Sequence, residues 1–279
     1  MKILGITINT STKKIPELAG IGNSLCIATN SDKIQYVRSG RNENAGKPQT
    51  DIFKIDAQGN VLNEIIWDFD KITNLQIIPI PEKKVTVKNG NFKTITKEKN
   101  ENEQINTYYQ RNIYVSRSNT ELNNITHKLF EDVVGRSYYG FIQLEYATNI
   151  KIDKAELFSY LANGYSSYDL IIEYCTNVTV KDVTSNEILD TNRWGITGSN
   201  YTKDIVYENC ILNRIDAHQG VHNLTLNNCK IGIYGITIAG SGNLIITKTE
   251  NYGQEAFITL RRDFRQQLEW KYNNNRLHL

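Results

Sequence analysis

One short phrase recurs along this chain: a polar residue, a β-type triplet, then polar residues, often closed by an apolar residue or a cysteine. It reads Lys84-Val-Thr-Val-Lys-Asn, Asn119-Thr-Glu-Leu-Asn-Asn-Ile, Asn149-Ile-Lys-Ile-Asp, Asn177-Val-Thr-Val-Lys-Asp-Val, Asp204-Ile-Val-Tyr-Glu-Asn-Cys and Asn223-Leu-Thr-Leu-Asn-Asn-Cys. A looser copy is Asn243-Leu-Ile-Ile-Thr-Lys-Thr, and successive starts lie 35, 30, 28, 27, 19 and 20 residues apart. Repeats in this range signal a solenoid, because one repeat cannot bury its apolar row alone and neighbours must stack. A solenoid places function on a long exposed face and not in a central pocket.

Each phrase alternates with period two, as a strand does. The inward places are Val178, Val180 and Val183, then Ile205, Tyr207 and Cys210, then Leu224, Leu226 and Cys229. Stacked coil on coil they form aliphatic ladders, and Cys175, Cys210 and Cys229 are small interior thiols. No sustained 3.6-residue apolar stripe supports helical repeats. Blades of a propeller need about 40 residues each, more than these intervals supply. The expected fold is therefore all-β, a parallel β-helix of stacked coils. Residues 1–80 are expected as N-terminal β-rich coils, with Asp56-Ala-Gln-Gly-Asn as a hairpin or corner turn. Residues 81–264 form the β-helix body, and 265–279 an aberrant polar tail. Lys97-Glu-Lys-Asn-Glu-Asn-Glu-Gln reads as a solvated loop.

The bulk properties exclude several classes. The net charge of +2 creates no field that would draw nucleic acid or a membrane surface. No run approaches the ~18 apolar residues of a membrane span. The first residues carry no recognisable export signal. Four dispersed cysteines without a CxxC pair build neither a disulfide scaffold nor a zinc site. No metal and no cofactor is expected.

Three blocks, Arg193-Trp-Gly-Ile-Thr-Gly-Ser-Asn-Tyr, Arg214-Ile-Asp-Ala-His-Gln-Gly-Val and Phe257-Ile-Thr-Leu-Arg-Arg-Asp-Phe, resemble a family of right-handed parallel β-helix proteins. The family is the pectate-lyase-like group of bacterial surfaces and phage or prophage tail spikes. Gln49-Thr-Asp-Ile-Phe-Lys-Ile-Asp-Ala-Gln-Gly-Asn-Val and Ile66-Trp-Asp-Phe-Asp resemble it too. The resemblance covers residues 20–264. It implies an extracellular, cell-surface or virion-associated protein that meets a polysaccharide or cell-wall glycan, and a homotrimer as in many tail spikes. The fold alone does not fix activity. Relatives carry a capping region before the first coil, whereas this chain starts in apparent mid-coil. A one-base shift of permitted codons from Leu268 onward reads Trp-Asn-Gly-Asn-Ile-Thr-Ile-Ile-Asp-Tyr, one more strand phrase. The sequence therefore suggests a frameshifted end and a copy truncated at both ends.

Chemistry collects where the phrase is broken. Asp216 and His218 flank Ala217, so an extended strand puts both on one face. With Arg193, Arg214 and His222 they suit an acidic glycan, since guanidinium binds carboxylate or phosphate bidentately. His218 can move a proton near neutral pH. Asp190 is the candidate second carboxyl for hydrolysis, with Glu250 and Asp263 as further options. Trp194 and Arg261 complete the substrate-binding set. Each has a plain structural reading: Asp216 and His218 as a corner pair, Asp190 as a turn residue, and the tyrosines of residues 138–174 as ladder packing. Three functions stay open. They are a carbohydrate-recognising β-helix derived from a polysaccharide- or teichoic-acid-degrading enzyme, a non-catalytic structural or adhesive shaft, and, least favoured, a polysaccharide lyase in the strict sense, whose usual calcium-binding aspartate cluster is not seen in the sequence.

Overall fold

The computed structural model describes residues 6–38, 45–95, 108–130, 137–161, 167–254, 256–261, 264–266 and 277–278. The charged excursion at 97–104, Tyr165, Asp263 and most of the tail lie outside them.

The recurring phrase is a strand between two left-handed corners. Asn119 and Asn124, Asn149 and Lys154, Asn177 and Asp182, Asp204 and Asn209, Asn223 and Asn228 are pairs five residues apart, and all have φ between 51° and 60°. That region is uncommon for residues with a Cβ, and Asn and Asp are enriched there because their short polar side chains bond locally. Here the asparagine and aspartate side chains bond along the stack, while Lys154 holds its corner without such an amide. The Asn149 amide donates to Asn119 Oδ1 at 2.9 Å, and Asn177 to Asn149 Oδ1 at 2.6 Å. The Asn223 amide donates to Asp204 Oδ1 at 3.0 Å. At the second corner Asn124 bonds Asn89, Asn209 bonds Asp182 and Asn228 bonds Asn209, at 2.8–3.0 Å.

The turning chain makes a parallel β-helix. The strands Thr120–Leu129, Thr148–Leu157 and Thr176–Ser185 pair in parallel, and Thr202–Glu208, Arg214–Asn227 and Ile236–Thr247 continue the stack. Parallel crossovers of this kind turn right-handed. Leu122, Ile152, Val180, Tyr207, Leu226 and Ile246 form one register-matched ladder through six coils. All six are buried. Cys175, Cys210 and Cys229 are free and buried, and burial pushes the Cys175 thiol up to about 12. A second row of strands, Ile113–Val115, Ile142–Glu145, Tyr168–Glu173 and Ile196–Asn200, runs into the first residues of Arg214–Asn227 and forms the first face of each coil, the row above forming the second.

The first eighty residues differ from the expectation of coils. Strands β1 (Ser24–Arg38), β2 (Lys47–Ile55) and β3 (Asn74–Pro79) pair antiparallel, with β1 central. The reason is connection length: a parallel return needs a dozen or more residues, and only residues 39–46 join β1 to β2. Asp56 makes a tight reversal, accepting from the Gln58 and Asn60 amides at 2.9 and 2.8 Å. This sheet has its own core around Leu18, Phe53, Ile55, Trp67 and Phe69. Its other side packs Leu25, Ile27 and Ile52 against Tyr146 and Tyr174 of the solenoid. Tyr146, Tyr174 and Tyr201 stack at 4.9 and 5.0 Å between centroids, and Tyr36 meets Tyr201 edge-on at 5.8 Å.

Substitutions at Asn177 separate the two jobs of a corner. Asn177→Gly keeps the left-handed backbone and loses the amide ladder, costing about 1 kcal/mol. Asn177→Val loses both and costs about 2–3 kcal/mol. Urea unfolding midpoints check this ordering, and a valine variant as stable as the glycine variant contradicts it.

Candidate functional site

On the first face, Ile215 and Ala217 point into the core, each 1 % exposed. Arg214, Asp216 and His218 take the opposite side by strand alternation. The Asp216 carboxylate is the centre of a cluster. Arg261 Nη1 donates to its Oδ1 at 2.9 Å. Arg214 Nη2 and His218 Nε2 lie 3.3 and 3.4 Å from Oδ2. The Arg214 contact is an ion-pair separation, and neither contact has hydrogen-bond geometry, so Oδ2 has no hydrogen-bond donor. The Asp216 side chain is 1 % exposed, against 12 % for Arg214 and 19 % for His218. Trp194 joins from the preceding turn: the Arg214 guanidinium lies 4.7 Å above its ring, and Tyr234 packs against it at 5.1 Å.

Electrostatics set what this cluster can do. Burial lowers the His218 imidazole to about 4, against the opposing pull of Asp216. The imidazole is therefore neutral at pH 7 and a weaker base than an ordinary histidine, below the near-neutral range that suits general-base work. Two guanidiniums and one carboxylate leave a net positive charge beside an indole face. That combination suits an anionic group. The carboxylate itself is covered and clamped, a poor arrangement for direct attack on a polymer.

The remaining sequence candidates lie in other neighbourhoods. Asp190 caps its own turn, accepting from the Asn192 amide nitrogen at 2.8 Å, with Arg193 Nε at 3.4 Å. Arg193 is 7 % exposed, donates to the Ser159 carbonyl at 2.7 Å and lies over the Phe158 ring. His222 follows the next corner and turns toward the N-terminal sheet. Its Nδ1 is 2.6 Å from Ser241 Oγ and its Nε2 is 2.5 Å from Glu64 Oε1. Thus Arg214, Asp216, His218, Arg261 and Trp194 converge, whereas Asp190 with Arg193, and His222, do not join them. Among the described residues no group of three or more His, Cys, Asp or Glu could hold a metal ion.

Sequence reasoning missed two polar features. Asp169 is fully buried; its Oδ2 accepts from Ser159 Oγ at 3.0 Å and Ser185 Oγ at 2.5 Å, and Asn213 Oδ1 lies 3.0 Å from the same Ser159 hydroxyl oxygen. Burial raises its carboxyl to about 6 despite those hydroxyls and nearby Arg193. The second feature is a row beside the tyrosine corner: Glu145, Glu173 and Asn200 stand in register on consecutive coils. Tyr114 donates to Glu145 at 2.8 Å and Tyr139 to Glu173 at 2.6 Å. Asn200 Oδ1 accepts the His218 backbone N–H at 3.1 Å, which ties the row to the Asp216 cluster. The readable signal was the repeated pair Glu145-Tyr146, Glu173-Tyr174, Asn200-Tyr201.

The sequence matches no family model. It matches no curated protein. Among solved structures it is similar to the tailspike protein gp49 of Pseudomonas phage LKA1, at 11 % identity and a TM-score of 0.48. The overlap covers 88 % of this chain and 45 % of that one, so the chain spans less than half of that protein. A likeness of this degree carries no argument about activity.

Asp169 yields a pH prediction. Its folded pKa of about 6 lies above the ordinary 3.8. The stability it allows is therefore fully present below 3.8 and is lost as pH rises through about 6. Asp169→Asn mimics the protonated carboxyl. It should match the parent near pH 4 and exceed it by about 2–3 kcal/mol above pH 7. Paired urea titrations across this window check it; a difference independent of pH contradicts it.

Proposed function

We propose that this chain is a carbohydrate-recognising β-helix whose glycan lies along the first face, with an acidic sugar at the Asp216 cluster. One observation carries the reading: the Arg214 guanidinium is held between the Trp194 ring and the Asp216 carboxylate on the outward side of a rigid sheet. The Trp194 ring is already covered by the Arg214 guanidinium and packed by Tyr234, so it orients that guanidinium toward the sugar ring and is not itself a free stacking face. Arg214 and Arg261 offer charge for a carboxylate or phosphate on that ring. Asp216 holds both guanidiniums in place before the ligand arrives, which lowers the ordering cost of binding.

Binding is favoured over turnover for a physical reason. Asp216 is almost wholly covered, and Asp190 is occupied by its own turn. If the cluster does catalyse, His218 is the group that takes the proton, since it is neutral at pH 7. Hydrolase or lyase action by the pectate-lyase-like route, and a plain adhesive shaft, are the two flanking readings. A place on a virion or cell surface, a cell-wall glycan as partner and assembly as a homotrimer belong to the same proposal. Among the described residues no helix is long and apolar enough to cross a membrane.

Calorimetric titration with acidic oligosaccharides and with a neutral control tests this. The parent protein should bind the acidic series, and Arg214→Ala should weaken binding at least about tenfold. Equal affinity of parent and variant contradicts the assignment of the site. Product assays for new reducing ends and unsaturated sugars decide turnover. Products that vanish in His218→Ala support an enzyme, and binding without products supports recognition alone.

A further inference from the structure

The seam between the N-terminal sheet and the solenoid contains a lysine and a carboxylate pressed together out of water. Lys203 sits on the second coil face, next to the corner residue Asp204, and its side chain is 1 % exposed. Its Nζ lies 2.5 Å from Asp51 Oδ1 on β2, whose side chain is 0 % exposed. Both groups are held. Lys203 Nζ donates to the Glu64 carbonyl at 2.7 Å. The Asp51 carboxylate accepts the Ile52 N–H on Oδ1 and the Ile66 N–H on Oδ2, each at 2.7 Å. Tyr36, Ile66, Tyr201 and Val221 wall the site around a cavity of ≈ 20 Å³.

We propose that Lys203 and Asp51 are the two halves of an intramolecular isopeptide bond that fastens the N-terminal sheet covalently to the coils. The chemistry balances without a co-reactant. One proton passes from the Lys203 ammonium to Asp51 Oδ1 along the short contact, leaving an amine and a carboxylic acid. The amine lone pair attacks Cγ, and the new C–N bond forms as the charge moves onto Oδ2. Oδ2 already accepts the Ile66 N–H, a donor placed as in an oxyanion hole. The C–Oδ1 bond then breaks, and Oδ1 departs as water with its own proton and one from nitrogen. The products are one secondary amide and one water.

Three features favour this step at this place. The reacting groups are fixed by the fold, which replaces a bimolecular encounter by a unimolecular one. Exclusion of water removes the solvation that stabilises the separated ions and slows hydrolysis of the amide. The adjoining cavity is about the size of one water molecule, room for the leaving group. Glu64 acts as a positioning residue through its carbonyl, and its side chain is pinned by His222 at the rim of the same seam. This inference is independent of the glycan reading.

Intact-mass measurement of the folded full chain, denatured after incubation to constant mass, decides it. The parent should be lighter than its sequence mass by one water. Peptide fragmentation should find one branched species joining the Asp51 and Lys203 segments. Lys203→Arg should carry the full mass. A parent at full sequence mass overturns the proposal whether or not the variant folds. A water loss that persists in Lys203→Arg, as ring closure at an aspartate would give, overturns it as well.

Discussion

Everything in this molecule follows from a backbone constraint: two left-handed residues five positions apart in almost every coil. A side chain with a Cβ resists that conformation by about 1–2 kcal/mol, so each corner must be supported. The support comes from the amide stacks. Asn119, Asn149 and Asn177 bond one another along the solenoid axis, and Asn209 and Asn228 repeat the device at the opposite end of the strand. A corner cannot slip by one residue without breaking its stack. The register is thereby pinned, and with it the division of each strand into inward aliphatic and outward polar places. Variation in coil length, from 35 residues down to 19, is absorbed between phrases, where the chain forms turns such as the one around Asp190.

The same constraint explains where special chemistry can sit. Between the corners, the outward places carry ion pairs such as Lys181 with Glu208 at 2.9 Å, a surface whose charges are already matched. Departures occur on the first face and at the tyrosine corner. There the phrase gives way to Arg214, Asp216 and His218 on one side, and to the seam with the N-terminal sheet on the other. The sheet needs that seam. Tyr36 lies close enough to Gly220 that a Cβ there would meet its hydroxyl, and Gly220 itself has φ of +90°. A glycine at this corner is thus required both by conformation and by the neighbour packed on it.

How much of this was legible can be argued residue by residue. The coils were legible because stacking forces each phrase to repeat the same inward slots, and Val180, Tyr207 and Leu226 occupy one ladder as their spacing indicates. The step Asp216-Ala217-His218 was legible because alternation is local. The direction of pairing in β1–β3 was not, since alternation looks alike in parallel and antiparallel strands and only the short connection distinguishes them. His222 was misplaced beside Asp216 because five residues, among them the left-handed Gly220, separate the two. Its real partner, Glu64, is 158 positions away. Asp51 and Lys203 are also distant in sequence, and neither breaks any local pattern. Long-range polar contacts of this kind leave no periodic trace.

The central claim is that the corner ladders build the shaft while ligand recognition belongs to the place where the phrase breaks. Amide hydrogen exchange of the full chain, with and without a saturating acidic oligosaccharide, reads this directly. The account predicts slowed exchange confined to the Trp194 turn, the Arg214–His218 stretch and the strand before Arg261. Protection centred on the outward places between the Asn177 and Asp182 corners, or protection spread evenly over all coils, would contradict it.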